Sequence, residues 1–184
     1  MPNSNRSTGA ARREEVLDAA VTVFAARGYH GASVQDVARR AAISEPYVYR
    51  LYGNREKLFT EAIAHAFRLI SQAFHEAAEK RGTATPQQLL DAMAERYVEL
   101  IADGRLLRVQ LHAQAAAAAE PAIRTVVRAA YRDLVTDVAR WSGAEDGPVQ
   151  MFFARGMLCH LVVSIGIEDD DDAWAGILNA GIRH

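Results

Sequence analysis

The 184-residue sequence predicts an all-α fold in two parts, a three-helix N-terminal domain joined to a C-terminal helical bundle. Three observations predict it. Apolar residues recur at spacings of three and four along nearly the whole chain, the period of a helix with one buried face. Turn-bounded alternation of the strand type is absent, while alanine, the best helix former, is abundant. The interruptions are short and carry glycine, proline or a capping residue.

The first helix is expected from about Ala11 to Arg27, with Val16, Ala20, Val23 and Phe24 on one stripe. Gly28 and Gly31 bracket Tyr29-His30 in a break. Ser33 then stands as an N-cap before VQDVARRAA, with Asp36 in the place of a capping-box acid. A turn at Ala42-Ile43 leads to Ser44, the next N-cap, and to a short helix with Pro46 in its first turn, where the missing N–H costs nothing. Asn54 caps a longer helix in which Phe59, Ile63, Ala66, Phe67, Ile70 and Phe74 recur at helical spacing. That helix fades at KRGTAT (80–85), and Pro86 opens one over roughly 86–102. Asp103-Gly104 breaks it, and RLLRVQLHAQAAAAA follows. Glu120-Pro121 restarts a helix to about Trp141, SGAEDGP forms a loop, and 148–167 is strongly apolar. The acids of 168–172 precede a last short helix through Ile177 and Leu178, and they suit its N-terminus better than a metal.

Hydrophobic residues make up 50% of the chain and charged ones 24%, so it can bury a core without cross-links. One cysteine, Cys159, excludes an internal disulfide framework and suits a reducing cytoplasm. The longest apolar run considered, 157–167, is too short for a bilayer, and the polar N-terminus lacks the apolar region of a signal peptide. A cytoplasmic protein with no membrane partner is expected. Net charge is −2, but residues 1–60 carry nine Arg and Lys against six acids, and the remainder 12 against 17. A basic head on an acidic body implies that only the head faces phosphate. The histidines lack metal-ligand spacing, and neither a phosphate-binding glycine loop nor a nucleophile signature occurs. No metal, cofactor or catalytic residue is therefore expected, and the chain does not read as an enzyme.

Three helices in the first fifty or so residues, the second and third joined by a tight turn, have the shape of a helix-turn-helix. The third must be short and project polar groups from its leading turns if it is to enter a major groove. With Ser44 as cap, Val48 and Leu51 face inward while Glu45, Tyr47 and Arg50 face outward, and Tyr49 offers a hydroxyl to phosphate. Tyr52 reads as core.

These residues belong to a longer pattern. Residues 13–59, REEVLDAAVTVFAARGYHGASVQDVARRAAISEPYVYRLYGNREKLF, resemble the N-terminal domain of TetR-family transcriptional repressors. Leu17, Ala19, Ala20, Phe24, Gly28, Ser33, Val37, Ala38, Ser44, Val48, Tyr49, Tyr52, Asn54, Arg55, Glu56 and Leu58 stand in register with it. Ala42 replaces the usual turn glycine, which is tolerable if its φ stays negative. Arg55 stands for lysine and Tyr52 for phenylalanine. The resemblance implies a flexible arm over 1–10, a DNA-binding domain over 11–56 and a ligand-binding and dimerisation domain over 57–184. It further implies base-edge contacts from Gln35, Glu45, Pro46 and Tyr47, with Arg50 on bases or backbone. Ser33, Ser44, Tyr49 and Arg55 would hold phosphates, helped by Lys57 and by Arg6, Arg12 and Arg13 of the arm and its flank.

In the body, Phe67, Ile70, Phe74, Met93, Tyr97, His112, Phe152, Met157 and His160 could line a cavity, or each could simply be core. As a group they fit a pocket between helices, which the resemblance implies for a small-molecule effector, apolar or aromatic. Val127, Tyr131, Leu134, Val138 and Trp141 run at helical spacing, as do Phe152, Gly156, Cys159 and Val163. Helices near 121–141 and 148–167 are thus candidates for a homodimer seam. The expected function is ligand-released binding of a palindromic double-stranded DNA operator, most simply as a repressor. The alternative is a helical enzyme or a lipid or small-molecule carrier bundle with an incidental helix-turn-helix.

Overall fold

A computed structural model describes residues 4–181, and among them the chain forms nine helices and no strand. Helix α1 (Ser4–Gly31) is interrupted at Gly28, whose φ of 67° and ψ of −179° only glycine adopts without strain. A Cβ there would also lie 3.0 Å from Nδ1 of His112. The break expected after Arg27 is therefore a kink with a neighbour packed into it. Of the expected arm, residues 1–3 lie outside the described residues, and the chain is helical from Ser4 rather than from Ala11. Residues 9–15 are all exposed, and Arg12 pairs with Glu15 at 2.7 Å along the helix.

Helix α2 (Val34–Arg40) opens with a complete capping box: Asp36 N–H donates to the Ser33 hydroxyl oxygen, and Ser33 N–H donates back to the Asp36 carboxylate. Helix α3 (Glu45–Tyr52) and helix α4 (Arg55–Arg81) follow. Helix α5 (Pro86–Ile101) begins with a second capping box, Thr85 with Gln88, legible in TPQQ though not anticipated above. Helices α6 (Arg105–Ala119), α7 (Pro121–Ser142), α8 (Asp146–Ile165) and α9 (Ala173–Asn179) complete the chain.

The chain divides into two compact units. One takes residues up to Ala66 together with Arg108–Ala129, and the other takes Phe67–Leu107 and the residues from Ala130 on. The first is wider than the expected 11–56 because the first turns of α4 carry Leu58, Phe59, Ala62 and Ile63 into the same core as Val16, Ala20 and Phe24. The Phe24 and Phe59 rings meet edge to face at 4.6 Å, and His65 Nε2 lies 3.0 Å from Asp18. In the second unit Phe67 packs on Tyr131 at 5.0 Å and His75 stacks on Trp141 at 5.0 Å.

Those contacts also orient helix α7. Its stripe is turned inward, with Val127, Leu134 and Val138 buried, and the outward face carries Arg128, Arg132 and Arg140. Helix α8 corrects one expectation. At 20 residues, with a mean hydropathy of 1.4 over its most apolar window, it is long and apolar enough to cross a membrane, although only 22% of that window is buried. The expected run of 157–167 missed the turns contributed by Val149, Met151, Phe152 and Phe153. Cys159 is buried, as a small apolar residue on this helix would be, and burial pushes its thiol pKa up. The exposed face holds Met151, Met157, Leu161 and Ile165.

Candidate nucleic-acid interface

The turn between α2 and α3 fixes the geometry of the head. Ile43 N–H donates to the Ala38 carbonyl at 3.0 Å and Ala42 N–H to that of Arg39 at 3.3 Å, the two bonds of a Schellman ending. Ala42, between them, has a φ of 53°. The expected negative φ is thus wrong: the turn keeps its left-handed residue, and an alanine bears the strain that glycine would avoid.

Helix α3 leaves this turn with Ser44 at its N-cap, but the Ser44 hydroxyl makes no capping bond. Pro46 sits in the first turn, so the missing donor is one the helix could not have used. Val48 is buried, Leu51 half-buried, and Tyr52 buried with its hydroxyl donating to the Arg13 carbonyl at 3.0 Å. Arg13 in turn donates to the Leu51 carbonyl at 3.1 Å. Arg13 therefore ties α1 to α3 rather than reaching for phosphate, Arg12 is occupied by Glu15, and the side chain of Arg6 lies outside the described residues.

The opposite face of α3 is polar and open. Pro46, Tyr49 and Arg50 are exposed, while Glu45 and Tyr47 are half-buried. The Arg50 guanidinium stands 4.6 Å over the Tyr47 ring, a cation–π contact that orients both. Arg55 stands 4.5 Å over the Tyr29 ring, and Tyr29 rests on Phe59 at 4.9 Å, so this cation is held on a platform built from the core. Gln35 and Lys57 are exposed, and Lys57 pairs with Glu61 at 3.0 Å. Ser33 differs from the expectation, since its hydroxyl proton goes to Asp36 at 2.8 Å and leaves no donor for phosphate.

Asp36 is the hub that sequence reasoning under-read. Besides the capping box it binds Arg39 and, at 2.9 Å, Arg27. The Ser33 hydroxyl foremost, then the Ser33 N–H and the two arginines, hold its pKa down at about 2. Two of the basic residues counted in the head are thereby spent within it. Arg40, exposed beside them, is a further cation at this face.

The body residues gather only in part. Phe74 meets Tyr97 at 5.8 Å and Phe152 at 5.5 Å, and the Tyr97 hydroxyl lies 2.6 Å from Nε2 of buried His160. Phe67, Ile70 and Met93 are buried in the same unit. His112 belongs to the other unit, against Gly28, and Met157 is exposed. Both depart from the expected set, because helical spacing does not say which face of α6 or α8 turns inward. Among the described residues no group of three or more His, Cys, Asp or Glu is placed to hold a metal.

A buried three-helix core, a Schellman turn and an outward polar helix define a helix-turn-helix head on an all-α body. Residues 16–62 match the model of the bacterial regulatory proteins, tetR family, so the head is similar to the heads of that family. The transcriptional repressor NicS of Pseudomonas putida is 32% identical over 78 residues, which cover 42% of this chain and 36% of that protein. The transcriptional activator FasR of Mycolicibacterium smegmatis is 32% identical over 98 residues, 53% of this chain and 43% of that one. The chain thus matches less than half the length of either relative. The fold extends further: the Bacillus subtilis regulator FadR, solved in complex with stearoyl-CoA, superposes with a TM-score of 0.63 at 20% identity, over 92% of this chain and 95% of that one.

Proposed function

We propose that the chain is a ligand-responsive transcriptional regulator that binds a palindromic operator as a homodimer. The observation that carries this is the outer face of α3, where Ser44, Pro46, Tyr49 and Arg50 are exposed together. In this reading Gln35, Glu45, Pro46 and Tyr47 read base edges, with Arg50 beside them, and Ser44, Tyr49, Arg55 and Lys57 hold phosphates. The DNA-binding role lies in 11–56, and effector binding and dimerisation lie in 57–184.

The exposed apolar face of α8 supports the dimer. Four large side chains left in water on one helix mark a surface that something covers. A second copy fits better than a bilayer, because exposed Arg155 sits mid-helix, where a membrane would impose a heavy penalty. A two-fold pairing presents two reading helices about 34 Å apart, one turn of B-DNA. Sedimentation at micromolar concentration is expected to show a dimer, and a monomer would contradict the pairing.

The effector is a small apolar or aromatic molecule held in the body. NicS is named a repressor and FasR an activator, so relatives of this head work in both directions; repression released by effector is the simpler scheme. The effector shifts the equilibrium only by its different affinity for DNA-competent and DNA-incompetent geometries. Helix α4, with residues in both units, is the covalent route for that difference. Footprinting on the DNA flanking the protein's own gene tests the whole reading. One protected palindrome is expected; diffuse protection would reject it in favour of a non-specific DNA-binding protein, and no protection in favour of a carrier or enzyme bundle.

A further inference from the structure

His112 of α6 lies against the kink of α1, in the first unit. Three atoms of its imidazole, Nδ1, Cε1 and Cγ, stand 3.0, 3.2 and 3.5 Å from the point where a Cβ on Gly28 would be. The ring therefore fills the side-chain space that the glycine leaves empty. Gly28, at φ 67° and ψ −179°, occupies backbone space that is nearly glycine's alone. Glycine is also the residue with the most conformational freedom to lose, so such a conformation persists only where neighbours fix it. The imidazole is such a neighbour.

The ψ of Gly28 sets the direction in which the chain leaves the kink, and the next residue is Tyr29. Its ring is buried, 4.9 Å from that of Phe59, with the Arg55 guanidinium 4.5 Å over it. Arg55 and Phe59 are four residues apart on α4 and hence neighbours on one face, and the tyrosine ring contacts both. Among the described residues Arg55 has no carboxylate and no hydrogen-bond acceptor, so its donors are unspent and the ring alone orders it. An arginine without such a platform loses its rotamer freedom at the moment of binding, and affinity falls accordingly.

Resting on the reading of Arg55 as a phosphate contact, we propose that His112 is a positioning residue for DNA binding. By filling the space beside Gly28 it fixes the kink, the kink sets the Tyr29 ring, and the ring holds Arg55 ready for a backbone phosphate. His112 acts here through its shape, since its imidazole makes no hydrogen bond among the described residues. A residue of α6 thereby tunes the grip of the head from behind the reading helix.

Phosphate contacts are independent of sequence, so a random-sequence duplex reports on them without knowledge of the operator. Fluorescence anisotropy with the full chain at several salt concentrations is the measurement. Arg55→Ala is expected to lower the salt slope by about one per head. His112→Ala should weaken binding about three- to tenfold, the effect of one long side chain left unordered. His112→Asn keeps Cγ and a planar polar atom in the place of Nδ1, and should restore affinity to within about twofold. In the Arg55→Ala background, His112→Ala should change affinity by less than about twofold, because the group it positions is gone. An equal loss in both backgrounds, or no loss in either, overturns the positioning role while Arg55 keeps its phosphate. An unchanged salt slope in Arg55→Ala overturns the phosphate reading, and the proposal with it. Should His112→Ala not fold, nuclear Overhauser spectra of the unaltered protein decide. Contact between a His112 ring proton and the Gly28 α-protons, with Arg55 methylene protons moved upfield by the Tyr29 ring, supports the proposal; absence of either overturns it.

Discussion

The head and the body handle polar groups in opposite ways. In the head, nearly every polar atom near the core is tied: Asp36 by Ser33, Arg27 and Arg39, Tyr52 by Arg13, His65 by Asp18. What remains open lies on the outer face of α3. In the body the polarity is internal and incomplete, a tyrosine–histidine pair with one nitrogen unclaimed, while the outside of α8 is apolar. A surface that reads DNA must be rigid beneath and polar above. A site for an apolar molecule, and a face for a second copy, require the reverse. Substitutions that swap the two characters should therefore do the most damage.

The largest effect is expected from Leu161→Glu on the exposed α8 face. In a two-fold seam it places two uncompensated carboxylates in an apolar contact, at a cost of several kcal/mol. The sedimenting species should become a monomer while the far-ultraviolet spectrum is kept; a persistent dimer would move the seam off α8. Next comes Gly28→Ala. The φ of 67° with ψ near 180° is strained for any Cβ, and His112 stands in its way at 3.0 Å. A loss of roughly 1–3 kcal/mol in denaturant titration is expected, and no loss would mean that the kink is not rigid.

The difference also explains what could be read from sequence. The head's features are local. A serine three residues before an acid, a proline in a first turn and an asparagine before a helix each carry their meaning within one turn of chain, and they place α2, α3 and the start of α4 to within a residue or two. The exception is Ala42, where the alanine concealed a left-handed turn that a glycine would have announced. The body depends on which of several apolar stripes turns inward, and α7 and α8 each offer more than one. Tyr131 and Trp141 are claimed by Phe67 and His75, partners more than sixty residues away in sequence. No short-range rule supplies that pairing, and the same limit places His112 in the other unit from the rest of its expected group.

Smaller effects probe the reading face itself. Tyr47→Ala removes the ring beneath Arg50 and, on the proposed reading, a base contact, and should relax operator preference by about 1–3 kcal/mol at one position. Tyr49→Phe and Arg55→Ala should instead weaken all DNA alike, Arg55→Ala lowering the salt slope by about one. Competition binding at several salt concentrations separates the two patterns, and unchanged affinity in all three would remove α3 from the interface. Ala42→Gly should stabilise the chain by about 1 kcal/mol by relieving the positive φ, less the entropy that glycine gains on unfolding. A lower melting temperature would show that the turn is not left-handed in solution.

The last effect concerns acid. The folded pKa of Asp36 is about 2, below its usual 3.8, so between those values the unfolded chain binds the proton more readily than the folded one. Its contribution to stability is therefore fully present above about pH 4 and is lost as pH falls toward about 2. Asp36→Asn should flatten that part of the melting profile against pH while leaving the rest, set by the other carboxylates, in place. The leading cause is the Ser33 hydroxyl and not the exposed guanidiniums of Arg27 and Arg39, so raising salt to about 0.5 M should leave most of the Asp36 difference intact. If salt erases it, the arginines hold the carboxylate and the capping box is secondary. In that case phosphate could compete for Arg27 and Arg39, and the basic face of the head would extend onto α2.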